Sequence, residues 1–328
     1  MAKIKEEPKF NDIDAQIIKR FGKEKFVMGN DINDDFAVLS TGSLMLDLAL
    51  GKGIAPGIFE YAGLHGTGKT TMSLEACVNA QKIGYKTYYM AMERAHNASI
   101  LKSIKDLDLS KLTIAKPENG EECCDIVESL IRSSTDTTIV VDSVAAMCVS
   151  EKTQDESASH DSMAILARML SKWAPKMAML AVDRNCRLIL INQLRSNIGM
   201  YGSPDISTGG RGLPFYCNEK VSLKFSKSKD LIVDENGNKI GQMVHAEVTK
   251  TRFSPPFGIA DVPIIYGKGI DKTLEIANAA IHFGIISKET GWFKYGEEKL
   301  HGIDTLKQFI VDNNLYDKLK TSILEMIK

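Results

Sequence analysis

Gly63, Leu64, His65, Gly66, Thr67, Gly68, Lys69 and Thr70 follow one another with the spacing of a phosphate-binding loop, and Thr71 adds a second hydroxyl. Glycines at these intervals let consecutive backbone N–H groups turn inward around phosphate oxygens. Lys69 has the reach for β- and γ-phosphates, and the Thr70 hydroxyl suits a Mg²⁺ position. A second candidate ligand for that cation is Asp142, a hard anion ending the apolar run Ile139-Val140-Val141 and able to act directly or through water. Glu93 ends another apolar run, 88–92. From spacing alone it reads either as a solvated glutamate or as a carboxylate that orients and deprotonates an attacking water. Gln193 follows a third run, 188–192. A neutral amide there can sense a γ-phosphate oxygen and hold the next loop differently with and without it. These residues predict a nucleoside triphosphate site.

Such a loop needs a strand before it and a helix after it. The run 58–62 reads as a buried strand and 71–78 as a helix, whose N-terminus adds partial positive charge beside a phosphate. Thr41-Gly42-Ser43 forms a turn or cap ahead of a helix over 44–50. Further strands are expected at 86–92, 112–115, 138–141 and 188–191, and further helices at 98–104, 120–132 and 161–183. Pro175 must kink or interrupt the last of these. Strands alternating with helices imply a parallel sheet whose ligands gather at the carboxyl ends of the strands. The runs 221–225 and 244–249 alternate more and flank the hairpin signal Asp234-Glu235-Asn236-Gly237-Asn238. Helices over 304–312 and 316–327 belong to a small C-terminal α+β domain. At the other end Ile13, Ile17, Ile18 and Phe21 share one helical face, closed by Gly22. So short a helix needs a partner for that face, either its own core or a neighbouring subunit.

With 328 residues the chain has room for a large domain and a smaller one. A net charge of −1 excludes a domain that is strongly basic throughout. Between 184 and 212, however, Arg184, Arg187, Arg195 and Arg211 face only Asp205. With Met200 and Tyr201 in its midst, this Gly- and Ser-rich stretch reads either as a long surface loop or as a track for a phosphodiester backbone with a stacking side chain. The six cysteines lack C-x-x-C spacing and are expected reduced and buried. A charged start without an apolar run behind it, and no apolar run of about eighteen residues, predict a cytoplasmic protein without a membrane span.

Several motifs in this order resemble the bacterial RecA recombinase family. They are Ser40-Thr41-Gly42-Ser43-Leu44 with Leu46-Asp47, the phosphate loop, and the stretch 139–146. Ala167-Arg168-Met169-Leu170-Ser171, Ile191-Asn192-Gln193-Leu194-Arg195, Ile198-Gly199, Thr208-Gly209-Gly210, Pro256-Phe257 and Tyr266-Gly267-Lys268-Gly269-Ile270 continue the match. The resemblance implies an α/β fold: a RecA-like P-loop ATPase core with a mostly parallel central sheet over 37–268, an N-terminal polymerisation helix in 1–36, and a C-terminal α+β domain over 269–328. It implies a DNA-dependent ATPase that uses ATP and Mg²⁺, polymerises on single-stranded DNA and exchanges strands with a homologous duplex. Glu93 becomes the water-activating carboxylate, Gln193 the γ-phosphate sensor, and Lys250 and Arg252 cations that reach a neighbour's ATP. Asn97 falls near the adenine. DNA contacts fall on Arg168, Ser171, Arg195, Ser196, Asn197, Ile198, Gly199, Tyr201, Thr208, Gly209, Gly210 and Arg211, with 154–163 as a first DNA loop and 194–210 as the second. The N-terminal helix would join subunits head to tail into an open filament.

The sequence departs from the family at Ala91, where an Asp is usual, and at Asn97 and Ile100, where an Asp and a Tyr are usual. Leu64-His65-Gly66 replaces Pro-Glu-Ser, Arg211 and Pro214 replace an Asn and a Lys, and 319–328 lacks an acidic tail, which predicts weaker autoinhibition. These changes describe a divergent member. Two rival readings share the core: a helicase-like motor, and a recombination mediator that binds ATP without turnover.

Overall fold

The computed structural model describes residues 12–26, 29–31, 36–93, 98–147, 160–195, 206–207, 210, 212–226 and 229–327. Contacts divide the chain into two units, Met1–Phe36 and Ala37–Lys328. In the first, helix α1 (Asp12–Phe21) ends where Gly22, at positive φ, donates its N–H to the Ile18 carbonyl. Its apolar residues Ile13, Ile17 and Phe21 are exposed.

The second unit begins with the anticipated cap. Ser43 accepts from the Leu46 N–H and starts α2 (Leu44–Ala49), while Asp47 accepts from Ser40 and from both the N–H and the hydroxyl of Thr41. Strand β1 (Gly57–Gly63) is buried along its whole length. Then come α3 (Lys69–Lys82), β2 (Lys86–Ala91), α4 (Ala98–Ser103), β3 (Leu112–Ala115), α5 (Gly120–Ser133), β4 (Thr137–Asp142), α6 (His160–Asp183) and β5 (Cys186–Arg195). A short β6 (Ile206–Ser207) and a one-turn α7 (Leu213–Tyr216) lead to β7 (Glu219–Lys224), β8 (Leu231–Val233), β9 (Lys239–Lys250), β10 (Ile259–Ile265) and β11 (Gly269–Ile270).

The main sheet has the order β11-β10-β9-β7-β1-β5-β4-β2-β3. From β7 to β3 every pairing is parallel, and β9, β10 and β11 extend the sheet antiparallel. The sheet is therefore mostly parallel, with β1 near its centre. Successive residues of the buried strands serve opposite faces, because side chains alternate along a strand. Phe59, Tyr61, Tyr89, Val140 and Ile189 pack towards α3, while Ile58, Met90, Ile139 and Leu188 pack with α5 and α6. Helices on both faces bury both sides, which is why these strands read as near-continuous apolar runs.

Pro175 does not interrupt α6, which runs from His160 to Asp183. Leu170, Trp173, Ala174 and Met177 around the proline are all buried, so packing holds the helix across the missing N–H. Beyond β11, helix α8 (Lys272–His282), which the sequence reading passed over, precedes the three-stranded sheet β12 (Ser287–Glu289), β13 (Trp292–Tyr295) and β14 (Glu298–His301). Helices α9 (Ile303–Asp312) and α10 (Tyr316–Met326) follow where expected. These elements share a core of Ile276, Phe293, Leu306, Leu319 and Ile323, to which α2 contributes Leu44. The described cysteines are free and buried, and burial pushes Cys77, Cys123 and Cys186 up to about 12. No helix among the described residues is long and apolar enough to cross a membrane.

Candidate active site

Residues 64–68 turn between β1 and α3. A side chain on Gly63 would meet the Leu223 carbonyl and the Thr67 hydroxyl, each at 2.6 Å, and Gly68 caps α3 at φ 82 against Ile264. Gly66, also at positive φ, has open space beside it. The Lys69 ammonium donates to the carbonyls of Gly63 (3.0 Å) and Leu64 (2.6 Å), while the Thr67 hydroxyl donates to Leu64 (2.9 Å). Burial lowers the Lys69 pKa, and the charges of Asp142 and Glu93 oppose that shift. From the antiparallel side Gln242 donates to the Gly66 carbonyl (2.8 Å) and accepts from the Tyr266 hydroxyl (3.1 Å). The loop borders a cavity of about 330 Å³ that His65, Thr70, Thr71, Glu93, Asp142 and Gln193 also line.

β4 lies between β5 and β2, which brings Asp142 opposite the start of α3. Thr70 Oγ1 donates to Asp142 Oδ2 at 2.8 Å, and the Tyr89 hydroxyl donates to the same oxygen at 2.5 Å. Burial raises the Asp142 pKa, and the bonds from Tyr89 and Thr70 work against it. Among the described residues no group of three or more His, Cys, Asp or Glu side chains is placed to hold a metal. A hydroxyl beside a single carboxylate suits Mg²⁺, which keeps several waters and takes its remaining ligands from phosphates.

Glu93 and Gln193 meet at the cavity. Glu93 Oε1 accepts from the Ser143 hydroxyl (2.8 Å) and, at a long 3.4 Å, from the Gln193 amide. Behind them the Gln193 N–H donates to Asn192 Oδ1, and Asn192 Nδ2 donates to the fully buried Glu60 (2.9 Å), which also pairs with Lys220 (3.3 Å). Tyr89, Ser143 and Tyr266 stand in the sequence within an apolar run or a family motif, but no spacing there marks them, Gln242 or this support for a role at the cavity.

Lys250 and Arg252 do not join this group. β9 passes the loop at Gln242 and runs on until Lys250 pairs with Lys220 at the opposite end of β7. Eight residues of strand span about 26 Å. There Lys250 donates to the carbonyls of Pro214 (2.7 Å) and Phe215 (2.9 Å), and Arg252 reaches Phe215 at 3.5 Å. Phe215 itself is 74% exposed.

Arg168 and Ser171 are exposed on α6. Gly210 and Gly212 approach the same helix closely: side chains there would collide with Ala167 and Ser171 respectively. The structure thus gathers Arg168, Ser171 and Gly210. Asn97, Ser196, Asn197, Ile198, Gly199, Tyr201, Thr208, Gly209, Arg211 and the Arg195 side chain lie outside the described residues, as does most of 154–163.

The family model of the RecA N-terminal domain matches residues 10–271. The chain belongs to the RecA family. It is 35% identical to Protein RecA of Chloroherpeton thalassium, with 94% of this chain and 87% of that protein aligned. It is 36% identical to Protein RecA of Chlorobium chlorochromatii (94% and 88%) and 34% identical to that of Ruminococcus albus (95% and 80%). A crystal structure of the RadB recombinase superposes with a TM-score of 0.53 at 21% identity, covering 71% of this chain and 98% of that one. That likeness supports the RecA-like α/β core.

Proposed function

We propose that this RecA-family chain is a DNA-dependent ATPase that polymerises head to tail on single-stranded DNA, pairs it with a homologous duplex and exchanges strands, in the cytoplasm. One observation carries the reading: Lys69, Thr70, Glu93, Asp142 and Gln193 converge on one cavity, while Lys250 and Arg252 lie outside its lining, with Lys250 level with the middle of β1 and bonded to α7. In this reading a second subunit brings those cations to the phosphates.

Lys69 leaves the loop carbonyls for the β- and γ-phosphates, and the loop N–H groups take up the remaining oxygens. Thr70 and Asp142 would hold Mg²⁺, which would supply charge neutralisation at the phosphate oxygens. Glu93, oriented by Ser143, takes a proton from water as its oxygen bonds to the γ-phosphorus and the bond to the ADP oxygen breaks; the proton then passes to solvent. Lys250 and Arg252 of the adjoining subunit neutralise the charge that develops. The Gln193 amide moves from Glu93 to the γ-phosphate, so the loop after β5 is held for DNA only while that phosphate is present. Arg168, Ser171 and Gly210 border the backbone track, and the loop 194–210 completes it. Exposed Ile13, Ile17 and Phe21 on α1 supply the subunit contact.

ATP hydrolysis with and without single-stranded DNA, across protein and salt concentrations, tests this. Stimulation that rises cooperatively with protein and collapses with salt is expected. Turnover indifferent to DNA, or no turnover, overturns it.

A further inference from the structure

Tyr89 stands on β2, separated from β1 and its phosphate loop by β5 and β4, yet its hydroxyl ends on the carboxylate assigned to the cation. It faces Val140 across the β2–β4 pairing, and Asp142 lies two residues further along on the same face. The ring is fully buried in the core beneath α3. A hydroxyl in such a place is costly unless it is bonded. Tyr61, on the same face, finds no partner for its hydroxyl among the described residues. That of Tyr89 reaches Asp142 Oδ2 at 2.5 Å, the length of a charge-assisted bond to an ionised carboxylate.

The consequence lies at Thr70. A hydroxyl has one proton and two lone pairs. Thr70 gives its proton to the oxygen that Tyr89 also holds, which leaves its lone pairs for a cation. Were Asp142 free to turn, that proton could swing towards the cation instead. Both donors fall on Oδ2, and no described group donates to Oδ1, which leaves that oxygen for a cation-bound water.

We propose that Tyr89 is a positioning residue for the divalent cation: by fixing Asp142 it sets the orientation of the Thr70 hydroxyl, without touching nucleotide or metal itself. The inference rests on the ATPase reading and adds a residue to its cation site.

The test is Tyr89→Phe in the full-length chain, which keeps the ring and its packing and removes one oxygen. Binding of a fluorescent ATP analogue is titrated first in EDTA and then with rising Mg²⁺, alongside DNA-stimulated turnover at each Mg²⁺ concentration. The expected result is an affinity in EDTA within about twofold of the wild type and a half-saturating Mg²⁺ about tenfold higher, as for other outer residues that orient a ligand. Turnover should recover as Mg²⁺ is raised. An unchanged Mg²⁺ requirement overturns the proposal, and so does an equal loss of affinity with and without Mg²⁺, which marks a packing role alone. Wild-type binding that ignores Mg²⁺ overturns the cation site itself, a failure visible before the variant is compared.

Discussion

Glu93 shows what one carboxylate gains from its neighbours. Its spacing fits a solvated glutamate equally well, but the folded chain sets it at the cavity with Ser143 and Gln193 on one of its oxygens. An amide in its place still accepts the Ser143 hydroxyl through Oε1, so Glu93→Gln should fold and bind ATP normally. It has no base to take the proton of the attacking water. Turnover is expected to fall about a hundredfold or more, with nucleotide affinity little changed; single-turnover hydrolysis beside equilibrium binding measures the two separately. A matching drop in affinity would assign Glu93 to binding instead. Lys69 and Thr70 could be named as candidates from local spacing, and Asp142 from the apolar run it ends taken together with that loop. Tyr89, Gln242 and Tyr266 could not, since each acts on a residue brought to it by the sheet. In the sequence Tyr89 looks like any aromatic residue of a buried strand.

Among the elements, the hydrophobic pattern gave the central strands and their helices, because burial on both faces leaves a strong signal. It failed where tertiary packing decides: the continuity of α6 through Pro175, and the helix α8 between a strand and a glycine-rich stretch. The antiparallel extension holds a polar device with no periodic signature. His245 on β9 meets Asp261 of β10 at 2.6 Å through Nδ1, and Asp230 just before β8 at 3.0 Å through Nε2, with Lys224 of β7 opposite it and paired to Glu247. The hydrogen bond that His245 donates to Asp261 is the main cause of a pKa raised above the usual 6.5, and Asp230 adds to it. A raised histidine stabilises the fold fully below its unfolded value, and the contribution is lost as pH rises through the folded value. The imidazole is 42% exposed, which limits the effect to less than about 1 kcal/mol. His245→Asn should therefore be less stable than the wild type near pH 6, and the gap should close by about pH 9. Denaturant unfolding at the two pH values measures it; a gap that widens with pH would refute the ion-pair account.

For the molecule as a whole, the separation of Glu93 from Lys250 makes the assembly testable without imaging it. If the site is built within one chain, a chain lacking either residue is inactive whatever surrounds it. If it is built between chains, Glu93 comes from the subunit that holds the phosphates in its loop, and Lys250 comes from the next. A filament of Glu93→Gln subunits alone, or of Lys250→Ala subunits alone, then has a defect at every junction. Mixed in equal amounts, half the loops belong to chains with an intact Glu93, and half of those face a neighbour with an intact Lys250. A head-to-tail chain with random order restores about a quarter of all junctions; closed dimers would restore one site per mixed pair, about the same fraction, and the dependence on protein concentration separates the two. DNA-stimulated ATP turnover of the mixture should thus rise to about a quarter of the wild-type rate per subunit, and only above the protein concentration at which filaments form. The Lys250 ammonium now caps a part-buried carbonyl (Pro214) and an exposed one (Phe215) of α7, which water can satisfy in the variant, so loss of fold is not the expected cause of its defect. A mixture no more active than its parts would place the whole reaction inside one chain and remove the cations of β9 from it.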